Sequence, residues 1–427
     1  MFRERMFWRM TTSPVRLALG SAIGTTFEWY DFMVYNTLAA LVFNHVFFPE
    51  ALPWMGTLLA FSTYAVGYVS RPLGSVIFGW LGDRTGRRHV LMLTLALMGL
   101  TTGLIALLPG YARLGAISPV LLVLLRFLQG IALGGEWAGA LLLTAEQNSE
   151  TAMGMGATWS QLGPGLGTVL SAGVIWGVTR SMDAASFQDW GWRLPLFLSL
   201  LLLAAGWVVR SSLSEPPQFA ERKARGEVLA NPVGAVLRHH GRSLLIAAST
   251  RIGPDVLYAL LTVFSLSYVT QTGEHTRSAA LMAVFAGSAW GVIVTLLAGR
   301  FSNRWGAKRI FLVGTVCALP AAFVFFWCAA SHQALLLGLG ICLGLSVHAI
   351  MYAVQGALIS QQFPVEVRYS GSSIAYTCGS LAGGGAFAPL IMVTLFRATH
   401  LELSISLYVV VALLVSGAGA MLARGTR

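Results

Sequence analysis

Long apolar runs alternate with short polar breaks along the whole chain, and the runs set the expected architecture. They lie near residues 18–43, 53–79, 89–108, 118–142, 155–178, 192–211, 243–269, 279–299, 309–329, 334–359, 371–396 and 402–423. Each approaches the roughly 20 residues that a helix needs to cross about 30 Å of hydrocarbon at about 1.5 Å per residue. The pattern predicts an all-α membrane protein of twelve transmembrane helices, with little chain left for soluble domains. The longest polar stretch between runs splits the spans six and six. The expected organisation is an N-terminal six-helix bundle over 1–210, a cytoplasmic linker over 211–242 and a C-terminal six-helix bundle over 243–427. Within the linker, Ser214-Glu215-Pro216-Pro217 ends a helix, because proline removes a backbone donor and disfavours helix before it. Glu221 to Arg225 then reads as a solvated basic segment, either a plain linker or one that leans on anionic lipid.

Composition narrows the class. Of 427 residues, 56% are hydrophobic and only 11% charged, against about 25% charged in soluble domains, and the mean hydropathy is +0.70. The net charge of +11 would suit nucleic acid if it were clustered, but its placement says otherwise. Most of the 28 Lys and Arg fall in segments that the alternation of spans puts on one side. Five (Arg113, Arg180, Arg193, Arg277 and Arg397) fall on the other, and Arg71, Arg126 and Arg251 lie within spans. This asymmetry is the positive-inside signature; it predicts both termini in the cytoplasm and no nucleic-acid partner. Cys317, Cys328, Cys342 and Cys378 sit in apolar runs without metal-ligand spacing, so neither a metal nor a disulfide is expected. The N-terminus lacks a cleavable signal pattern, and the first span is expected to be retained.

A repeat supports the two halves. Gly79-Trp-Leu-Gly-Asp83-Arg84-Thr-Gly86-Arg87-Arg88 follows the second span, and Gly299-Arg-Phe-Ser-Asn303-Arg304-Trp-Gly306-Ala307-Lys308 follows the eighth, 220 residues later. Matching glycines and basic residues at one offset point to two six-span units of common origin. Glycines permit a tight turn, and Asp83 can sit at a neighbouring helix N-terminus or pair with an arginine. Arg87 can serve simply as a topogenic charge. Asn303 replaces the acid in the second copy.

The first of these loops resembles the signature loop of the major facilitator superfamily. Further stretches are similar to the metabolite:proton symporter family: Gly24-Thr-Thr-Phe-Glu28-Trp29-Tyr30-Asp31-Phe32, Leu125-Arg126-Phe-Leu-Gln129-Gly130, Gly134-Gly135-Glu136-Trp137 and Trp190-Gly-Trp192-Arg193-Leu-Pro195. Met351-Tyr352 to Gln355, Phe363-Pro364-Val-Glu-Val-Arg368-Tyr369-Ser370-Gly371 and Gly383-Gly384-Gly385 are similar to its shikimate-transporter branch. The chain departs from that branch at Gln362 and at Ala353-Val354. The resemblance implies the major facilitator fold, alternating access between halves, and a cytoplasmic gate formed by Gly79, Asp83, Arg84, Gly86 and Arg88 with Gly299, Asn303 and Arg304 of the second copy.

Apart from any resemblance, charges at membrane depth cost about 2.5 to 3.5 kcal/mol each on insertion scales and usually face a wet cavity or a partner. They are Glu28, Asp31, Arg71, Arg126, Glu136, Arg251 and Asp255. Glu28 and Asp31 lie three apart on one helix face; two carboxylates sharing a dry site repel, which suits proton loading and release. Asp31 is the leading proton-coupling candidate, with Glu28 and Glu136 behind it, and the bland alternative is that these acids neutralise arginines of other helices. Arg126 and Glu136 are about 15 Å apart along their helix, so each needs another partner, an acid of the first span or an anionic substrate for Arg126. Arg71 reads either as a carboxylate anchor or as a partner of Glu28 or Asp31. Arg251 and Asp255, four apart, either neutralise each other or touch substrate. Tyr30, Tyr35, Gln129, Tyr352 and Gln355 add groups to orient a ligand or to bond between helices. His348 reads either as packing or as a proton relay, and Gly163-Pro164 to Gly167 as close packing with a bend.

The expected function is secondary active transport: proton-coupled symport of a small organic solute such as shikimate, an aromatic acid or a di- or tricarboxylate. The alternatives are a proton-coupled exporter or antiporter on the same fold, or symport of a betaine- or proline-type zwitterion. The chain shows no nucleophile and base set and no nucleotide loop, so neither an enzyme nor ATP-driven transport is expected. The proton gradient supplies the energy without a cofactor. The expected setting is the bacterial inner membrane, and the expected state a monomer whose partners are solute, protons and lipid.

Overall fold

The computed structural model describes residues 14–49, 63, 65–146, 153–211, 215, 217–272, 275–384 and 387–424. The start of the expected second span lies outside them. In chain order the helices that bear on the site are α1 (Pro14–Leu38), α2 (Arg71–Thr85), α3 (Arg87–Leu107), α4 (Ile117–Ala145), α5 (Met153–Ser160), α6 (Gly163–Ser181) and α7 (Arg193–Ser211). The linker carries α8 (Pro217–Ala224) and α9 (Pro232–His239). There follow α10 (Gly241–Ala259), α11 (Arg277–Trp305), α12 (Ala307–Ala318), α13 (Ala321–Ala329), α14 (Ala334–Ser360), α15 (Arg368–Ala382), α16 (Ala388–Thr399) and α17 (Glu402–Leu422). The described chain is helical, without a strand, as a backbone in hydrocarbon must satisfy its polar groups within each segment.

Nine helical stretches among the described residues are long and apolar enough to cross a membrane, some of them, such as Met155–Ser181 and Ala307–Ala329, running through two of these helices. Leucines, valines and tryptophans stand outward on them, among them Leu100, Trp176, Leu201 and Leu343, each more than 59% exposed. A soluble protein would bury such a belt. Three expected spans are broken. The fifth pauses after Ser160 and restarts at Gly163-Pro164, the expected bend. The ninth breaks at Leu319-Pro320. The eleventh, expected unbroken over 371–396, stops after Ala382, because Gly384 takes a φ of 81° that a continuing helix does not allow.

Helix contacts place the functional residues. In the first half α1 packs on α6 and α7, and α3 on α4 and α7. In the second, α14 packs on α11 and α12, and α10 on α15 and α17. Across the halves α15 lies against α2 and α4, while α5 lies against α11 and α14. The repeat is visible at the loops: Gly86 and Gly306 both adopt positive φ, 121° and 80°, and turn α2 into α3 and α11 into α12.

Candidate functional site

Buried charge falls into four groups, beginning at the end of the molecule that carries the linker. Here the Asp83 carboxylate accepts from the backbone N–H groups of Tyr369 (3.2 Å) and Ser370 (2.9 Å). An acid of the first half thereby caps the first turn of α15 in the second, where exposed N–H groups and the helix dipole favour negative charge. Arg87 is fully buried beside it, 3.7 Å from Asp83 and 3.2 Å from Glu146, and Glu146 also pairs with Arg368 at 3.4 Å. Gly79 and Gly82 let the helices meet: a Cβ on Gly79 would stand 3.0 Å from the Ser370 backbone, and one on Gly82 would enter the Tyr369 ring. The second copy does the same with a neutral group. Asn303 accepts from the Met155 N–H at 3.1 Å, in the first turn of α5, and Gly299 leaves room for Thr158. Arg88 donates to the Ser211 carbonyl at the end of α7, and Lys308 donates to Met421 and Ala423 at the end of α17 (2.7 and 2.9 Å). Arg84 lies exposed over the Trp80 ring, and Arg304 is exposed.

The second group surrounds Asp31, which is 1% exposed. It accepts from Thr102 of α3 (2.9 Å), Ser199 of α7 (2.5 Å) and Gln129 of α4 (3.0 Å). Gln129 in turn accepts from Arg126 at 2.9 Å, so arginine and acid meet through an amide rather than directly. Arg126 also donates to Asn36 at 3.0 Å and lies over the Tyr35 ring at 3.8 Å. Tyr35 donates to Thr63, and Tyr30 to the Pro195 carbonyl, so both hydroxyls bond within the first half.

The third group corrects the expectation that Glu28 and Asp31 share one site. Glu28 pairs instead with Arg210, which reaches Glu136 on its other side at 3.1 Å. One helical turn separates the two acids, yet each faces a different neighbour. Arg210 itself, at the end of the sixth apolar run, is 2% exposed.

The fourth group spans the two halves. Arg71 lies between the rings of Tyr68 (3.9 Å) and Phe32 (4.8 Å). Among the described residues it forms no ion pair, so neither Glu28 nor Asp31 neutralises it, and its Nε has no hydrogen-bond partner. Its helix α2 packs on α15 of the other half, where Thr377 donates to Ser75 at 3.0 Å. Arg251 pairs with Asp255 at 2.9 Å and lies over the Tyr376 ring at 4.1 Å, and Tyr376 stacks on Trp137 of the first half at 3.7 Å. Tyr352 stacks with His348, consistent with packing, and its backbone carbonyl accepts from Gln161.

Gln355 is placed by a proline. Pro254 cannot donate to the carbonyl four residues back, Thr250. The Gln355 amide donates there at 2.9 Å and accepts from Arg251 at 2.7 Å.

Sequence reasoning missed Arg87, Glu146, Arg210, Glu215 and Arg368 as network members. One signal was available: acids number only 17 with aspartate and glutamate together, so an acid beside an apolar run, such as Glu146, needs a partner. Glu215 accepts from the N–H groups of Arg87 and Arg88, both at 2.9 Å, and so caps α3 from the linker.

The sequence profile of the Major Facilitator Superfamily matches residues 21–389. The chain is 35% identical over 421 residues to the shikimate transporter of Escherichia coli K12, covering 96% of this chain and 95% of that protein. It is 35% identical over 384 residues to the inner membrane metabolite transport protein YhjE of the same organism, covering 88% and 86%. Among solved structures, the proton:xylose symporter XylE bound to 6-bromo-6-deoxy-D-glucose superposes with a TM-score of 0.77 over 96% of this chain and 94% of that one. Its 16% identity makes this a likeness of fold alone.

Proposed function

The chain belongs to the Major Facilitator Superfamily and is a membrane transporter of a small-molecule solute rather than an enzyme; from that premise we propose that it is a proton-coupled symporter of a small organic acid. One observation carries the substrate class. Among the described residues Arg71 is buried without an ion-pair partner, and across the interface between halves the Arg251–Asp255 pair is already neutral. With Asp255 ionised this cluster keeps one net positive charge, which a monocarboxylate neutralises and a zwitterion does not. Arginine suits the task, since its planar fork receives a carboxylate bidentately. The rings of Phe32, Tyr68 and Tyr376 supply an apolar wall for the rest of the solute. The shikimate transporter, 35% identical over nearly the whole chain, supports a carboxylated solute as well.

The energy source in this reading is the proton gradient, and the acids available to carry the proton are Asp31, Glu28 and Glu136. Asp83, Arg87, Glu146 and Arg368 form the gate that closes one end while the solute sits between halves. In this reading that end, the linker and both termini face the cytoplasm, which the positive-inside distribution supports, and the chain works as a monomer in a bacterial inner membrane.

A thermal-shift screen of the purified protein against organic acids and betaines tests the substrate class. An acid is expected to stabilise the wild type, and Arg71→Ala is expected to weaken that acid about tenfold or more, roughly 1.4 kcal/mol. Stabilisation by betaines alone, or unchanged acid binding by Arg71→Ala, would refute the anchor.

A further inference from the structure

We propose that the triad Glu28–Arg210–Glu136 is the seat of the transported proton, with Arg210 the residue that positions it; this rests on the proton-coupled reading above. All three side chains are buried, and one guanidinium lies between two carboxylates. With both acids ionised the triad holds one surplus negative charge in a dry environment, and uncompensated buried charge is expensive. A single proton on either acid removes the surplus. Glu136 offers the place for it: its Oε1 accepts from Arg210, while its buried Oε2 has no hydrogen-bond partner among the described residues and, unlike the equally unbonded Glu28 Oε1, forms no ion pair with the guanidinium.

Asp31 stands in a different balance. Three donors meet its carboxylate, and Arg126 offsets its charge through Gln129. Its cluster is neutral without a proton.

The surroundings of the triad are accounted for. From α1 come Glu28 and, one turn on, Asp31; from α4 comes Glu136, with Arg126 about 15 Å away along the axis; from α7 comes Arg210. The facing group on α15 is Tyr369, which donates to the Gly135 carbonyl at 2.7 Å. Asp83, Arg87 and Glu146, nearer the linker, are engaged with one another and with Arg368. The first-span glycine Gly24 leaves room for the guanidinium, since a Cβ there would stand 2.9 Å from Arg210 Nε. The proton passes from hydronium on one side of the membrane to Glu136 Oε2 and from there to water on the other, one O–H bond breaking as another forms at each transfer.

Infrared spectroscopy of the purified protein in lipid tests the assignment without any solute. The wild type is expected to show the C=O stretch of a buried protonated carboxyl. Glu136→Gln and Glu28→Gln are each expected to lose it, because the acid left behind is then matched by Arg210 alone; Asp31→Asn is expected to keep it. A band that survives both glutamine variants and vanishes in Asp31→Asn would overturn the proposal. In proteoliposomes supplied with whichever acid of the panel binds the wild type, Glu136→Gln is expected to lose accumulation driven by an inward proton gradient. A wild type that accumulates nothing under the gradient would instead fail the symport reading, a result the spectrum tells apart from the first.

Discussion

Proline inside a membrane helix leaves a carbonyl without its donor, and in α10 the amide of Gln355 takes that place at Thr250 while holding Arg251 by its other end. The residue is thus a positioner of Arg251. Gln355→Leu leaves both the carbonyl and a guanidinium N–H unpaired, and unsatisfied buried groups cost about 1–3 kcal/mol. Thermal unfolding in detergent is expected to show a loss of that size. The residue types were legible in the sequence here: seven charges at membrane depth were found by their position in apolar runs. Their partners were not, because helix rotation and the contacts between distant spans decide which face meets which. Three residues separate Glu28 from Asp31, and that spacing suggested one shared site, yet α7 presents Ser199 to one and Arg210 to the other. Arg210 itself sits at the edge of an apolar run, where composition alone reads a topogenic charge.

Helix termini carry the contact between the halves at the element scale. Asp83 caps α15 and Asn303 meets α5, so the two copies of one loop each hold a helix of the opposite half by its first turn. The neutral amide of the second copy keeps the hydrogen bond and gives up the charge. Acidic capping is worth about 0.3–1 kcal/mol at exposed helix ends and up to about 2 in partly buried ones. Asp83→Ala is therefore expected to shift the population toward an open linker end by about fivefold or more. Spin labels on the ends of α2 and α15 read that shift as a longer distance; an unchanged distance distribution would mean that the cap does not hold the gate. The turn glycines and the acid were readable from the repeat, and a bend at Gly163-Pro164 from its glycine and proline, though not the full interruption of the helix there. The break at Gly383-Gly384 was not, since apolar residues flank the glycines and hydropathy runs through them.

At the scale of the whole molecule, the halves meet at the linker end through Asp83 with α15 and Asn303 with α5. The linker lies across that end and touches both halves: Glu215 caps α3, Trp80 donates to the Ala230 carbonyl at 3.3 Å, and Arg222 reaches Glu366 at 3.7 Å. A segment read from the sequence as a plain linker or one leaning on lipid therefore packs on the loops that join the halves there. The helical membrane fold followed directly from the spacing of apolar runs, and the 220-residue repeat follows from two loops that do the same work. Uptake into proteoliposomes under an imposed inward proton gradient tests the transport claim most directly, with the bound acid of the panel as solute. Accumulation above the external concentration, abolished by a protonophore, is the result the symport account predicts; efflux driven by the same gradient, or uptake indifferent to it, would contradict it.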